Sequence, residues 1–390
     1  MGGVDLHETP EAEAFRAEVR GWLDANFDAE IAAGRSRFER GSPEHQRQRA
    51  WNHKLADAGY VAISWPAEYG GRGAGLLEQL VLTEELDRVR APATINYIGM
   101  PNIAPAILQW GTDEQKARFL PPMMRGDEIW CQGMSEPDAG SDLASLQCRA
   151  VLDGDTFVVS GQKTWNTLGH AADWCQLYVR TNPDAPKHQG ISCLLVDMTL
   201  PGIEVRPLKT ITGDLGFSEL FFTDVRVPVT GLLGPVDAGW NVATTTLAHE
   251  RAGVAKLHLE LRREVRELIE EARSTAMPAG GRAADDPRAR ERLAALYLEG
   301  EYLKLLADRA ISGQLHGRST GPEGSLVKLV WSDLQNHIAE TASVVLGAAG
   351  WTGAHAQRRV GVRSASIAGG TTQVNKSIVA QRVLGLPRAD

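Results

Sequence analysis

The strongest constraint on the fold is a change of hydrophobic period, made twice along the chain. Up to about residue 130 the apolar side chains recur at helical spacing, as in Phe15, Val19, Trp22, Leu23 and Phe27. Thr9 and Pro10 offer a helix N-cap and first-turn pair ahead of them. A glycine-rich break at 69–75, Trp110-Gly111 and Pro121-Pro122 punctuate this helical part. From 129 to 228 the pattern becomes short runs rich in Val, Leu, Ile and Phe, broken by Gly and Pro, at 174–181, 190–198, 203–209 and 218–228. Residues 149–160 read as two extended segments joined at Asp153-Gly154, a hairpin signal. After Gly239 the helical period returns. Asp286-Pro287 and Pro322 mark helix starts, Leu326, Val330, Leu334 and Ile338 repeat every four residues, and Gly347 and Gly350 close that helix. A last short helix from about 372 to 384 stops at Gly385 and Pro387. The expected fold class is α+β: an N-terminal helical domain over 1–128, a central β-domain over 129–236 and a C-terminal helical bundle over 237–390.

Bulk properties exclude several functions. A chain of 390 residues has room for two or three full cores. Its net charge of −8 argues against nucleic acid or an anionic membrane as the main partner. The arginines of 262–292 are interleaved with Glu260, Glu264, Glu267, Glu270 and Glu271, and Arg263–Glu267 and Arg266–Glu270 sit four apart, so the stretch reads as a solvated helix face. There is no basic segment leading into an apolar one at the start and no run of eighteen apolar residues, so we expect no signal peptide, no membrane span and a cytoplasmic location. Cys131, Cys148, Cys175 and Cys193 lack zinc-ligand spacing, so no metal site is expected and the thiols read as buried and reduced.

Two runs carry the chemistry: GMSEPDAGSD at 133–142 and SGQKTWNT at 160–167. The first gathers small, hydroxyl and backbone-permissive residues around one Glu–Pro step. The second ends in an indole flanked by amide and hydroxyl donors. A planar redox ring with a pyrophosphate needs such a pair: a flat wall, donors for its nitrogens, and small residues that let phosphate approach the backbone. Taken alone, Trp165 reads more readily as a core tryptophan than as a ring wall, and only the surrounding motif favours the wall.

With His249-Glu250-Arg251, and GGTTQ at 369–373 leading into IVAQRVLGLPR, these runs make the chain resemble the acyl-CoA dehydrogenase family over nearly its whole length. That resemblance implies a helical N-terminal domain, a β-barrel-like middle domain and a C-terminal four-helix bundle, holding FAD and acting on an acyl-CoA thioester. Carried over by position, Met134 and Ser135 face the flavin, Gly140 and Ser141 lie near pyrophosphate and substrate, and Trp165 walls the isoalloxazine with Asn166 beside it. Thr167 bonds the N5 edge, Thr371 and Gln373 complete the site from the C-terminal helix, and Gly370 and Arg251 lie by the substrate. His249 has no clear role.

The family's reaction removes an α-proton to a carboxylate and a β-hydrogen as hydride to flavin N5. The thioester carbonyl is polarised by a backbone N–H and a flavin ribityl hydroxyl, worth about 3–4 kcal/mol per donor. Many members supply the base as a Glu just before Gly-Thr in the C-terminal motif. Here that position is Gly369. A second group carries it on the first long helix of the C-terminal domain before an Arg, which Glu250 matches. Its same-face helical neighbours Thr246, Leu247, Gly253 and Val254 carry no charge, so a Glu there is partly desolvated and its pKa rises toward that of a useful base. A structural Glu paired with a distant Arg is the competing reading of Glu250, and a buried salt bridge that of Arg251.

Two segments that complete the neighbouring subunit's FAD site in family homotetramers are missing. Where an Arg-x-x-Phe-Gly segment belongs, the chain reads STAMPAGGRAADDPRAR at 274–290, expected as a flexible loop and a new helix start; where a Gln and a Gly-Gly turn belong, it reads SVVLGAAG, with Val344 and Ala348 in place. This resembles the catalytic subunits of heteromeric members from actinobacterial steroid degradation and implies a second, related subunit in a heterotetramer, against loop divergence in a homo-oligomer. An electron-transferring flavoprotein is the expected acceptor, and a branched, long-chain or steroid side-chain thioester the expected substrate. The alternatives are a flavin monooxygenase or oxidase on the same fold, and a non-catalytic partner subunit, which would predict degraded flavin motifs.

Overall fold

A computed structural model describes residues 9–32, 38–253, 257–278, 280–317 and 322–387, the side chains of Ala29 and of residues 248–253 lying outside the description. The chain divides into two compact units, one of Pro10–His249 and one within Glu250–Asp390.

The first unit opens with helices α1 (Pro10–Asn26), α2 (Ala29–Ala32), α3 (Pro43–Asp57) and α4 (Leu76–Arg88). The apolar stripe of α1 buries Val19 and Leu23 against Trp51 and Leu55 of α3 and Leu82 of α4. Glu85 of α4 is 1% exposed. Hydrogen bonds from Arg20, then Arg88 and Arg16, hold its carboxyl down at about 2 against the cost of burial. Helices α5 (Ala104–Trp110) and α6 (Asp113–Arg125) follow, the latter started by a Thr112–Gln115 capping box.

Eight strands then form one mixed sheet among the described residues. They are β1 (Trp130–Gly133), β2 (Arg149–Asp153), β3 (Thr156–Thr167), β4 (Trp174–Arg180), β5 (Ile191–Asp197), β6 (Ile203–Leu208), β7 (Phe217–Pro228) and β8 (Leu232–Leu233). The order is β6-β7-β3-β2-β4-β5-β8, with β1 parallel to β4. The Asp153-Gly154 hairpin forms as the sequence indicates, Gly154 taking φ 62° at the turn. Strand β3 runs past residue 160 to Thr167, because it keeps pairing with β7 through two bulges. The sheet and the N-terminal helices share one core, in which Ile103, Ile107, Leu120 and Met123 meet Trp130, Tyr178, Cys193 and Leu233. Val159, Cys175, Leu177, Leu220 and Val225 build a second.

Helix α7 (Gly239–Gly253) begins in this unit. Its start abuts β5, where a Cβ on Gly239 would lie 2.6 Å from the Ser192 carbonyl carbon. Val242 and Ala243 enter the first core. Trp110 Nε1 donates to Thr245 Oγ1 at 3.0 Å.

The other unit contains α8 (His258–Ser274), α9 (Pro287–Leu315), α10 (Glu323–Val345), α11 (Gly353–Gly361) and α12 (Thr372–Ile378). Leu261, Val265 and Leu268 of α8 pack with Leu293, Leu296 and Leu303 of α9 and Val327, Leu334 and Ile338 of α10. The charged face of α8 is used partly between helices: Arg262 donates to Glu301 of α9 at 2.7 Å, and Arg358 of α11 to Glu264 at 2.6 Å. Burial raises the Glu264 carboxyl despite that arginine. The 274–290 segment is tied back on itself, Met277 N donating to Gly281 O at 3.0 Å and Ala283 N to Thr275 O at 2.9 Å.

Candidate active site

The two motif runs meet. Strand β1 delivers Met134 and Ser135, both half-buried, and the chain turns at Glu136, whose main chain exchanges hydrogen bonds with Ala139 at 3.0 and 3.1 Å. Gly140 and Ser141 are exposed beyond the turn. Arg180 Nη2 fixes the far side of the loop by donating to Ala144 O at 2.6 Å.

The inward face of β3 carries Phe157, Val159 and then Lys163, all buried. Between Lys163 and Asn166 one extra residue enters β3 relative to β7. This bulge inverts the alternation: Trp165 points out at 61% exposure while Asn166 is 1% exposed. Trp165 also has φ 61°, a left-handed conformation that a bulky side chain adopts only under constraint. Among the described residues the ring packing against it is Phe217, edge-on at 5.8 Å. Among the two readings of Trp165 left open by its residue type, the core one is excluded. Thr167 is half-buried at the end of the strand.

Backbone and side-chain bonds stitch the runs together. Thr164 N donates to Ser135 O at 2.9 Å, Asn166 Nδ2 to Gln132 O at 2.5 Å, and Lys163 Nζ to Met134 O at 3.0 Å and to Glu136 Oε1 at 2.8 Å. Asn166 Oδ1 is buried without a partner among the described residues. Lys163 and Glu136 were not singled out from sequence. The readable signal was a lysine in register with Phe157 and Val159 on the inward face of a strand.

A buried polar chain reaches α7. Asn102 donates to Gln132 at 3.3 Å, Gln132 to Gln176 at 3.1 Å, and Gln176 to Thr246 at 3.4 Å, with Tyr178 Oη 3.3 Å from the same hydroxyl. Burial pushes the Tyr178 phenol well above its usual range, so it stays neutral. Thr246 is 0% exposed. Glu250, four residues on, lies in the same helix, but its side chain and those of His249 and Arg251 fall outside the described residues, as does Val254 altogether.

In the C-terminal unit Thr371 caps α12, its Oγ1 accepting from Val374 N at 3.2 Å. Gln373 is exposed and Gly370 and Thr371 are half-buried. Asn375 braces the corner, donating to Gly370 O at 2.8 Å and Thr371 O at 3.1 Å. Gly369 and Gly370 take φ 66° and 88°, the left-handed region that favours glycine. Val344 is 58% exposed and Ala348 is exposed.

Family models for the N-terminal, middle and C-terminal domains of acyl-CoA dehydrogenase match residues 9–127, 131–225 and 237–384. The chain belongs to the acyl-CoA dehydrogenase family. It is thereby an oxidoreductase of a flavoprotein family whose members serve β-oxidation and are generally FAD-dependent. It is 39% identical to acyl-CoA dehydrogenase IpdE1 of Mycobacterium tuberculosis, covering 97% of this chain and 98% of that protein. Among solved structures it resembles the Tcur3481-Tcur3483 steroid ACAD, with TM-score 0.85, 31% identity and coverage of 99% and 100% of the two chains. The ChsE4-ChsE5 complex from Mycobacterium tuberculosis gives TM-score 0.83 and 33% identity, covering 99% of this chain and 100% of that one. The fold class expected from the sequence is that of the family. Among the described residues no helix is long and apolar enough to cross a membrane, and no three His, Cys, Asp or Glu gather as metal ligands.

Proposed function

We propose that this acyl-CoA dehydrogenase holds FAD against Trp165 and the Met134–Ser135 turn and uses Glu250 to take the α-proton of a bulky acyl-CoA thioester. The observation that carries the flavin reading is the bulge: it spends backbone strain to hold an indole in the open, tied through Thr164 to Ser135. The residues present fit the group. An exposed aromatic wall with half-buried Thr167 two residues on in the same strand offers an apolar face with a hydroxyl residue beside it, and the inward Asn166 Oδ1 is left without a partner among the described residues. In this reading Met134, Ser135, Trp165, Asn166 and Thr167 hold the ring, Gly140 and Ser141 leave room for pyrophosphate and thioester, and Thr371 and Gln373 add donors. Bound FAD supplies a hydride acceptor.

The base assignment rests on two supports. At Gly369, where many members carry the base, the backbone has φ 66°, so a Glu there would be strained. Helix α7 is anchored to its unit by Gly239, Val242, Ala243 and Thr246, and position 250 belongs to that same helix rather than to a loop. Arg251 is proposed beside the thioester, with Gly370 against the substrate.

We further propose a heteromer with a related subunit, a steroid side-chain thioester as substrate and an electron-transferring flavoprotein as acceptor. The support is the likeness to a steroid ACAD named for two components and to a two-component complex. Exposed Val344 adds to it, standing where a cross-subunit Gln is absent. The test is to purify the chain alone and with a related subunit and record visible spectra. Stoichiometric FAD only in the pair agrees; a yellow homotetramer of this chain alone overturns the heteromer.

A further inference from the structure

The Lys163–Glu136 ion pair raises a question that stability does not answer. Lys163 is 0% exposed and Glu136 8%. Burying both charges forfeits their hydration, and a well-packed apolar pair would hold two adjacent segments as firmly. The pair also occupies one special place, the join between the two runs.

The bonds of Lys163 are unequal in consequence. Glu136 is secured without it, since its carboxylate accepts from Gln147 N at 2.6 Å and Cys148 N at 2.8 Å. Met134 O, in contrast, has Lys163 Nζ at 3.0 Å as its recorded side-chain donor. The peptide between Met134 and Ser135 is trans, as are all those described. Its C=O and N–H therefore point in opposite directions. A carbonyl drawn inward onto a buried ammonium turns the Ser135 N–H outward. That N–H has no recorded acceptor among the described residues, while the next carbonyl, Ser135 O, is taken by Thr164 N at 2.9 Å. Two residues beyond Lys163 on the same strand, the bulge turns Trp165 outward as well.

We propose that Lys163 is a positioning residue: by holding Met134 O it aims the Ser135 N–H out of the protein as a donor for a carbonyl or nitrogen acceptor on the edge of the isoalloxazine. Glu136 balances the ammonium so that it can be buried there. This rests on the flavin reading of the site. One strand thus fixes both the wall and the edge donor, and their spacing follows from the register of three residues.

The experiment uses the flavin-loaded protein with whatever partner copurifies, and three variants: Lys163→Met, Glu136→Gln and the double variant. Lys163→Met alone should lower Tm, because it leaves a buried carboxylate without its cation. The double variant removes both charges and should regain Tm. It should still bind FAD about tenfold more weakly, the effect of one lost hydrogen bond. Glu136→Gln should also lower Tm, leaving a buried ammonium without its carboxylate, but it keeps the bond to Met134 O, so FAD affinity should stay within about threefold of the parent, less than one hydrogen bond's worth. A double variant with parent Tm and parent FAD affinity overturns the proposal. A measurement free of mutants runs beside it: the Ser135 amide of the parent should exchange its hydrogen rapidly without FAD and slowly with it. A Ser135 amide unprotected by bound FAD also overturns the proposal while leaving the flavin reading intact. A parent that binds no FAD defeats the flavin reading itself, and this inference with it.

Discussion

Replacing Trp165 by glycine separates the ring-wall reading from a packing role, because the two predict losses of stability of different size. A buried tryptophan cut back to its backbone would cost about 3–5 kcal/mol. At this position the terms partly cancel. Glycine relieves the left-handed φ of 61°, worth about 1–2 kcal/mol. It loses the edge contact with Phe217, about 0.5–1.5 kcal/mol. It also loses the covered part of an indole that is 61% exposed, about 1–2 kcal/mol. It adds unfolded-chain entropy of about 0.5–1 kcal/mol. The net change is a loss of about 1–2 kcal/mol, short of that for a core tryptophan. The assay is denaturant unfolding of the flavin-free proteins, since bound FAD stabilises whichever protein binds it better. FAD affinity is then measured on the same pair, and should fall at least about tenfold in Trp165→Gly, as expected for loss of an aromatic wall. A flavin-free variant less stable by about 3 kcal/mol or more would show that Trp165 is a packing residue and refute the argument.

Other expectations follow from the same geometry. Arg20, Arg88 and Arg16 hold the Glu85 carboxyl at about 2 against an ordinary 4.5. Its stabilising contribution is therefore complete above the unfolded value and is lost as pH falls from about 4.5 towards 2. Glu85→Gln should be less stable than the parent at neutral pH, with the gap closing in acid; a gap independent of pH contradicts this. Burial pushes the Cys148 thiol up to about 11 and raises Cys175 and Cys193 too, so a thiol reagent at mildly alkaline pH should label these cysteines only on unfolding, and fast labelling of the native protein would count against the packing described. Gly369→Ala should cost about 1–2 kcal/mol through its left-handed φ; a neutral or stabilising effect would remove one support for placing the base elsewhere.

Much of the architecture was legible because it is written in period. Phe15, Val19 and Leu23 gave a helix, Asp153-Gly154 a hairpin, and Pro287 a helix start, and each forms as those local preferences require. The strand ends were less legible. β3 runs on to Thr167 because pairing with β7 overrides the glycine at 161, where a Cβ would lie 2.7 Å from Cys148 Cα. Of the candidate site, the motif runs were visible, but the reason they cooperate was not. An inserted residue that flips Trp165 outward is a property of register between two strands, and no single-strand pattern carries it. The ion pair between Lys163 and Glu136 was not legible, because charged residues read as surface unless their partner, here twenty-seven residues away, is known. The polar chain from Asn102 to Thr246 joins four residues far apart in sequence and left no local signal.

The central claim, that Glu250 takes the α-proton while a flavin beside Trp165 accepts the hydride, meets its most direct test in an anaerobic titration. Flavin-loaded parent and Glu250→Gln are each mixed with an acyl-CoA thioester, without any external acceptor, and the visible flavin band is followed. The account predicts that the parent bleaches and that Glu250→Gln binds the thioester but stays yellow. Bleaching of Glu250→Gln at the parent's rate would contradict it.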